Sequence, residues 1–432
     1  MKAGFGRLDM TPPLGTPLAG YYSQRLADGV LDPLSLNALA LSDGETTAVM
    51  ITADMLGIRR TYSEEIRNLV AQRVGIPVDH VMLMSLHQHT SMRLADAWER
   101  SAVTDKTYLD VFYRKVCDVA QMAIDDLADA TVRFAERETS EPIAFIRRYY
   151  MKDGSVRTNP GKHRDEVVGP VGEQDHNVRL VKFEREGKKN IALVNFSTHP
   201  DTIGGKKISA DWPGFVRRFV EEDHPDTHCI CVNGAQGDSN HVNIRSDEKQ
   251  SGYFRAEHMG RVTANTAHTV WENGEICPDA KLFSGVKLVY NYTNTKGAEH
   301  YDECAALYYG QWQGEKVPTH TAHGYALGEC ERIVKLRERG LIFQCVPVSV
   351  IGFGKLAFVG YGGEPFLHYA EGARKAAPDK HVVVACCTNG YEDYLPTDAA
   401  FDEGGYEATS TAFTKGLERD CVAAAAELLA EI

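Results

Sequence analysis

The chain has 432 residues, 43% of them hydrophobic and 25% charged, and a formal net charge of -13 at pH 7. These values predict a fully folded protein with a sizeable buried core, and they exclude a nucleic-acid or anionic-membrane surface, which clustered Lys and Arg would have to supply. No run of eighteen apolar residues offers a membrane span, and the opening Met1-Lys2-Ala3-Gly4-Phe5-Gly6 lacks the apolar core of a secretion signal, so a cytoplasmic location is expected.

Short apolar runs rich in β-branched residues alternate with longer amphipathic stretches. In chain order they predict strand 48–52, helix 61–74, strand 80–86, helix 107–127, strand 191–196, helix 212–222 and strand 229–232. Helix 255–271, helix 322–339, strand 356–360, helix 365–376, strand 381–387 and helix 414–431 follow. This is the pattern of an α/β protein with a central mixed sheet flanked by helices. Segments 147–174 and 273–301 read as long excursions inside one catalytic domain spanning 1–432. The ten cysteines are scattered, and Cys229, Cys231, Cys345, Cys386 and Cys387 fall inside apolar runs, where reduced thiols act as small hydrophobes.

The polar residues able to do chemistry gather just after the strands. Asp54 follows the first, His87 and His89 the second, His199 the third, Gln236 and Asp238 the fourth, Glu364 the fifth, and Tyr391 and Tyr394 the last. Ligands of open α/β sheets bind beyond the carboxyl ends of strands, so one shared site built from six loops is expected. In His87-Gln88-His89 a period of two aims both imidazoles to one side. One can bind a metal while the other moves a proton. His199 and Glu364 add a nitrogen and a carboxylate, and two nitrogens with one carboxylate leave zinc open to water and substrate.

Gly4-Phe5-Gly6-Arg7-Leu8-Asp9-Met10-Thr11-Pro12-Pro13, with Ala19-Gly20-Tyr21 and Leu31-Asp32-Pro33-Leu34, resembles the opening of the neutral/alkaline non-lysosomal ceramidase family. The likeness continues through His87-Gln88-His89-Thr90, Phe196-Ser197-Thr198-His199, Ser209-Ala210-Asp211-Trp212-Pro213-Gly214 and Asn233-Gly234-Ala235-Gln236-Gly237-Asp238. It closes with Gly363-Glu364, Asn389-Gly390-Tyr391-Glu392-Asp393-Tyr394 and Gly405-Tyr406-Glu407-Ala408-Thr409-Ser410-Thr411. The resemblance implies one zinc ion held by His87, His199, Glu364 and Tyr394. It implies a second histidine at His89, a substrate-facing Tyr406, and an active-site arginine at Arg147 or Arg148, of which Arg147 is preferred. Where the family has Gly-Asp-Val-Ser-Pro-Asn, this chain reads Gly237-Asp238-Ser239-Asn240-His241, so Asn240 stands in place of the serine. The chain ends at Ile432, just after these motifs, and the β-sandwich that follows in true ceramidases is not expected.

The expected chemistry is hydrolysis of a linear amide by zinc-activated water, with Tyr406 and Arg147 stabilising the oxyanion and His89 shuttling the proton. Arg148, Gln236 and Asn240 are expected to face the substrate, and Asp54 and Asp238 either to orient the ligand histidines or to cap loops and helices. Action on an ester, lactone or sugar derivative is the alternative, and a metal-binding module without turnover is the third. The basic excursion 147–174, with Arg147, Arg148, Lys152, Arg157, His163 and Arg164, is expected to border the pocket and favour a small, polar, anionic or hydroxyl-rich substrate. Homo-oligomer formation is left open.

Overall fold

The computed structural model describes residues 1–340 and 342–432 and builds two main sheets from the apolar runs. The first holds β1 (Lys2–Asp9), β2 (Ser35–Ser42), β3 (Thr47–Ala53), β4 (Val81–Ser85), β5 (Ala128–Glu138), β6 (Asn177–Arg185), β7 (Asn190–Phe196) and β8 (Thr227–Asn233). Their spatial order is 8-7-6-5-1-2-3-4, with Glu275–Cys277 added beside β5. Neighbours are antiparallel except near the two ends, where β3 pairs parallel with β4 and β7 with β8. The second sheet lines up β9 (Phe283–Tyr292), β10 (Phe343–Phe353), β11 (Leu356–Tyr361) and β12 (His381–Ala385), and it too ends on a parallel pair, β11 with β12.

A parallel pair needs a crossover, and helices supply each one. Helix α1 (Arg60–Val74) joins β3 to β4, and α2 (Lys106–Asp125) follows β4. Next, α3 (Asp211–Asp223) joins β7 to β8, and α4 (Tyr253–Thr269) packs beside it. A helical hairpin, α5 (Tyr301–Gln313) and α6 (Leu327–Arg339), leads into β10, and α7 (Leu367–Ala376) joins β11 to β12. The chain finishes with α8 (Asp398–Glu403), α9 (Tyr406–Ser410) and α10 (Leu417–Leu429).

Period-two alternation decides which side of each strand enters which core. In β2, Leu36, Ala38 and Ala40 pack on α1 and α2, whereas Leu39 and Leu41 turn to the opposite side. There they meet Phe183, Leu193, Phe358 and Val383, a core shared by both sheets. The far face of the second sheet, with Val346, Val348 and Val350, is covered by α7 and α10. The layers therefore run helix, sheet, sheet, helix, the mixed α/β architecture that the sequence indicates.

Strands β1, β2, β5, β6, β9 and β10 and helix α5 lie where the sequence pattern predicts no element. Strand β1 is obscured by Gly4 and Gly6, whose residue type α2 dictates: a Cβ would fall 2.0 Å from the Ala123 carbonyl oxygen and 2.3 Å from that of Val119. Strand β9, inside the expected excursion 273–301, is a sheet edge with Tyr290 and Tyr292 more than 60% exposed, so its apolar alternation is weak. The helix expected over 322–339 starts only at Leu327, because Glu329 caps it by accepting from the Ala326 amide at 3.0 Å. No helix among the described residues is long and apolar enough to cross a membrane.

The first sheet curls until its ends meet. Asn233 Nδ2 donates to the Leu86 carbonyl at 3.1 Å, linking the ends of β8 and β4. The end of β12 wedges against both: Asn195 Nδ2 donates to the carbonyls of Val232 and Val384 at 3.0 Å each, and the Ser85 amide donates to Cys387 O at 3.1 Å. Three parallel pairs thus bring their carboxyl ends to one point.

Candidate active site

His87 leaves β4 with a left-handed φ of 73°, a conformation that non-glycine residues hold only when the surroundings impose it. Its Nδ1 faces the Leu56 carbonyl at 2.9 Å, and His199 Nδ1 faces the Gln236 carbonyl at 2.7 Å. A carbonyl oxygen only accepts, so each Nδ1 carries the proton and each Nε2 keeps a lone pair. Both lone pairs point at one carboxylate oxygen, Glu364 Oε2, at 3.3 Å from His87 and 3.0 Å from His199. That oxygen has no hydrogen-bond donor, while Oε1 accepts from Tyr391 at 3.1 Å. Three buried acceptors therefore converge with no proton between them, an arrangement that a cation satisfies, and two imidazoles with a carboxylate suit zinc. His89 joins the cluster, its Nε2 3.3 Å from that of His87. Ring nitrogens of His87, His89 and His199 all lie within 4.8 Å of one another.

Backbone pairing places the fourth expected ligand. Glu364 and Tyr394 are register partners in a two-residue parallel ladder, and the Tyr394 ring lies 6.3 Å from that of His199. Burial raises the Tyr394 pKa, and Arg147, whose guanidinium carbon sits 5.0 Å over the ring, opposes the rise. Arg147 Nη2 donates to Gly237 O at 2.6 Å, Nη1 lies 3.4 Å from His199 Nε2, and Nε pairs with Glu407 Oε1 at 2.8 Å. His89 Nδ1 stands 3.5 Å from Asp201 Oδ1, which also accepts from the Tyr21 hydroxyl. Burial pushes Asp201 up to about 7, and burial followed by the neighbouring His87 and His199 pulls His89 down. Tyr406 meets the Tyr22 hydroxyl at 2.8 Å, and burial pushes its own pKa up to about 12.

Glycines seat these rings. A Cβ at Gly20 would fall 2.5 Å from His89 Nδ1, one at Gly57 2.4 Å from Tyr391 Cγ, and one at Gly328 2.8 Å from Tyr406 Cε2. Only bare main chain fits under each ring.

Five expected roles need correction. Arg148 does not line the cavity: it opens the short strand Arg148–Met151 and spends its guanidinium on Glu403 at 3.0 Å and Glu407 at 3.3 Å. Asn240 turns to Asn159 Oδ1 at 3.1 Å, and Gln236 contributes its carbonyl to His199 while its side chain stays out of the cavity lining. Asp54 and Asp238 do not touch the histidines, whose second nitrogens face carbonyls instead. Asp54 accepts from Gln88 at 3.0 Å and pairs with Arg217, so it holds the loop between His87 and His89. Asp238 accepts from the Leu367 amide at 2.9 Å and anchors the start of α7. The basic excursion folds away as well: Arg157 pairs with Asp153 at 2.7 Å, and Arg164 pairs with Asp247.

The cavity over the cluster offers about 70 Å³ to the centres of water-sized groups. Besides His87, His89, Glu364, Tyr391, Tyr394 and Tyr406, its wall includes Tyr22, Tyr308, Glu331, Lys335 and Asp393, residues that the sequence reading did not place in the site. Tyr391 and Asp393 stood inside a quoted motif, next to Tyr394. Tyr308 comes from α5, which the pattern missed altogether.

Sequence comparison finds no matching family model and no matching curated protein. Structural comparison finds the crystal structure of the neutral ceramidase from Pseudomonas aeruginosa, with a TM-score of 0.72 at 15% identity, covering 100% of this chain and 75% of that one. The chain shares its fold with a neutral ceramidase. A ceramidase complexed with C2 matches with a TM-score of 0.74 at 15% identity, over 99% of this chain and 74% of that one. The ceramidase likeness read from scattered motifs is thus a likeness of the whole fold.

Proposed function

We propose that this chain is a hydrolase that cleaves an amide bond in a small polar molecule, using one zinc ion held by His87, His199, Glu364 and Tyr394. The observation that carries the proposal is the convergence of His87 Nε2, His199 Nε2 and Glu364 Oε2 with no proton between them. A zinc ion held by these residues would supply a water of near-neutral pKa and Lewis-acid polarisation of a carbonyl.

The remaining steps belong to the side chains. The Tyr22 and Tyr406 hydroxyls share a hydrogen bond of 2.8 Å; with Tyr22 as its donor, the Tyr406 proton is free for the oxygen of the substrate carbonyl. Arg147 keeps a positive charge against the same wall and aligns Tyr394 beneath its guanidinium. His89, backed by Asp201, takes a proton from water and delivers it to the leaving nitrogen. The fold likeness to ceramidases supports amide chemistry. The narrow cavity and its charged far wall support a compact, water-soluble substrate, and the net charge of -13 and reduced cysteines support work in the cytoplasm.

The test is hydrolysis by the zinc-loaded protein of short-chain polar N-acyl compounds, set beside long-chain ceramide and matched esters and lactones. Cleavage of a polar amide is expected. Cleavage of esters or lactones alone would transfer the site to the alternative reaction, and cleavage of long-chain ceramide alone would overturn the substrate class.

A further inference from the structure

The cavity has a second end, away from the histidines, walled by the hairpin of α5 and α6. Tyr308 and Trp312 stand one turn apart on α5, and Glu331 and Lys335 one turn apart on α6, so each pair shares a helix face turned to the cavity. Asp393 faces them with a left-handed φ of 71°, held there as its carbonyl accepts from the Glu364 amide at 3.0 Å. Lys335 Nζ donates to Asp393 Oδ1 at 2.8 Å and lies 3.4 Å from Glu331 Oε1. The other oxygen, Asp393 Oδ2, is buried without a donor, and the Tyr308 hydroxyl is 3.5 Å from Glu331 Oε1.

An under-donated carboxylate in a cleft is costly unless something hydrogen-bonds it. A ligand hydroxyl that donates to it meets that need. Asp393 Oδ2 lacks a donor and Glu331 can accept a further one, while two aromatic rings cover apolar surface, and the shape that offers both is a ring or chain of C–H groups edged with hydroxyls.

We propose that this end of the cavity binds a polyhydroxylated, sugar- or polyol-like group. Its hydroxyls donate to Asp393 Oδ2 and Glu331, and its C–H face packs on Tyr308 and Trp312. The inference rests on the histidine end being the reacting end, and it makes the substrate of the proposed amidase an N-acylated amino sugar or a similar polyol.

Calorimetric binding to the zinc-loaded protein tests it. The probes are the N-acetyl derivatives of glucosamine, galactosamine and mannosamine, against N-butylacetamide, which has the same acetamide and no hydroxyls. At least one sugar is expected to bind tenfold or more tightly than N-butylacetamide. Glu331→Gln and Asp393→Asn should each weaken that sugar about tenfold, about 1.4 kcal/mol, and Glu331→Gln should keep the wild-type melting temperature. No sugar binding, equal binding of N-butylacetamide, or an indifferent Glu331→Gln variant overturns the proposal. Hydrolysis read on the same samples separates the two readings. A sugar that binds while no amide is cleaved keeps this subsite and refutes the amidase. Amide cleavage indifferent to hydroxyls keeps the amidase and removes the subsite.

Discussion

Arg147 and Glu407 form an ion pair of 2.8 Å beneath the histidine cluster, with side chains only 8% and 0% exposed. Glu407 also accepts from Thr158 at 2.8 Å and faces Arg148 at 3.3 Å, so one carboxylate holds two buried guanidinium groups. Glu407→Ala strands the Arg147 charge, leaves Arg148 with Glu403 alone, and should cost roughly 3–5 kcal/mol of unfolding free energy. Glu403→Ala, which removes only the more exposed partner of Arg148, should cost clearly less. Urea unfolding of the two variants checks the ranking, and equal costs would show that Arg147 does not depend on Glu407.

Metal analysis should find about one zinc per chain in the purified protein. His199→Ala should lose it and retain a folded circular dichroism spectrum. Added zinc should raise the melting temperature of the wild type and leave that variant unmoved, since only a native state with the full ligand set gains from binding.

His89→Ala should retain zinc and lose about 10²–10⁴-fold in turnover, the usual contribution of a proton-transfer group. Asp201→Asn should fall between that variant and the wild type, because it orients the imidazole without touching the substrate. Zinc content and turnover measured on one sample decide the matter: loss of metal from His89→Ala would make His89 a ligand.

Gly328→Ala places a methyl 2.8 Å from Tyr406 Cε2 and 3.0 Å from Ser410 Cβ. The hairpin must lift or Tyr406 must turn, at about 1–3 kcal/mol. Turnover should suffer more than stability, as Tyr406 sets the oxyanion geometry. Gly75→Ala is the contrast: nothing lies within 4 Å of its Cβ, so its cost, from a φ of 72°, falls on stability alone.

Burial pushes Asp238 up to about 6 from an ordinary 3.8. The folded state then binds a proton more tightly than the unfolded chain, so this group makes stability fall as pH rises from about 4 to about 6. Above that window its full penalty is present. Asp238→Asn keeps an acceptor for the Leu367 amide and removes the charge. Its stability relative to wild type should rise across the window by up to about 3 kcal/mol. Melting curves at pH 4.5 and pH 7 test the sign, and a flat difference would mean that Asp238 is ionised normally.

Part of the candidate site was legible because a strand-end position and a residue type coincide at His87, His199 and Glu364, whereas Tyr394 was reached through the motif likeness. What alternates cleanly and lies buried was legible too: β3, β4, β7, β8, β11 and β12 are the very strands that carry the site. Edge strand β9 and the glycine-bearing β1 were hidden because their patterns answer to neighbours far away in sequence. The same holds for Arg148 and Asn240. A doublet such as Arg147-Arg148 cannot reveal which member faces inward until the strand register is fixed. Asp54 and Asp238 misled because carbonyls of loops took the role expected of carboxylates.

The curled first sheet carries a further consequence. His87 and His199 follow strands near opposite ends of that sheet, and Glu364 and Tyr394 form a separate two-residue ladder beyond β11 and β12, so the proposed ligand set comes together only once the curl has closed and the sheets have docked. With the proposed ligand set, zinc affinity would therefore gauge tertiary order: a half-folded chain with its strands already formed would hold the ion no better than scattered histidines.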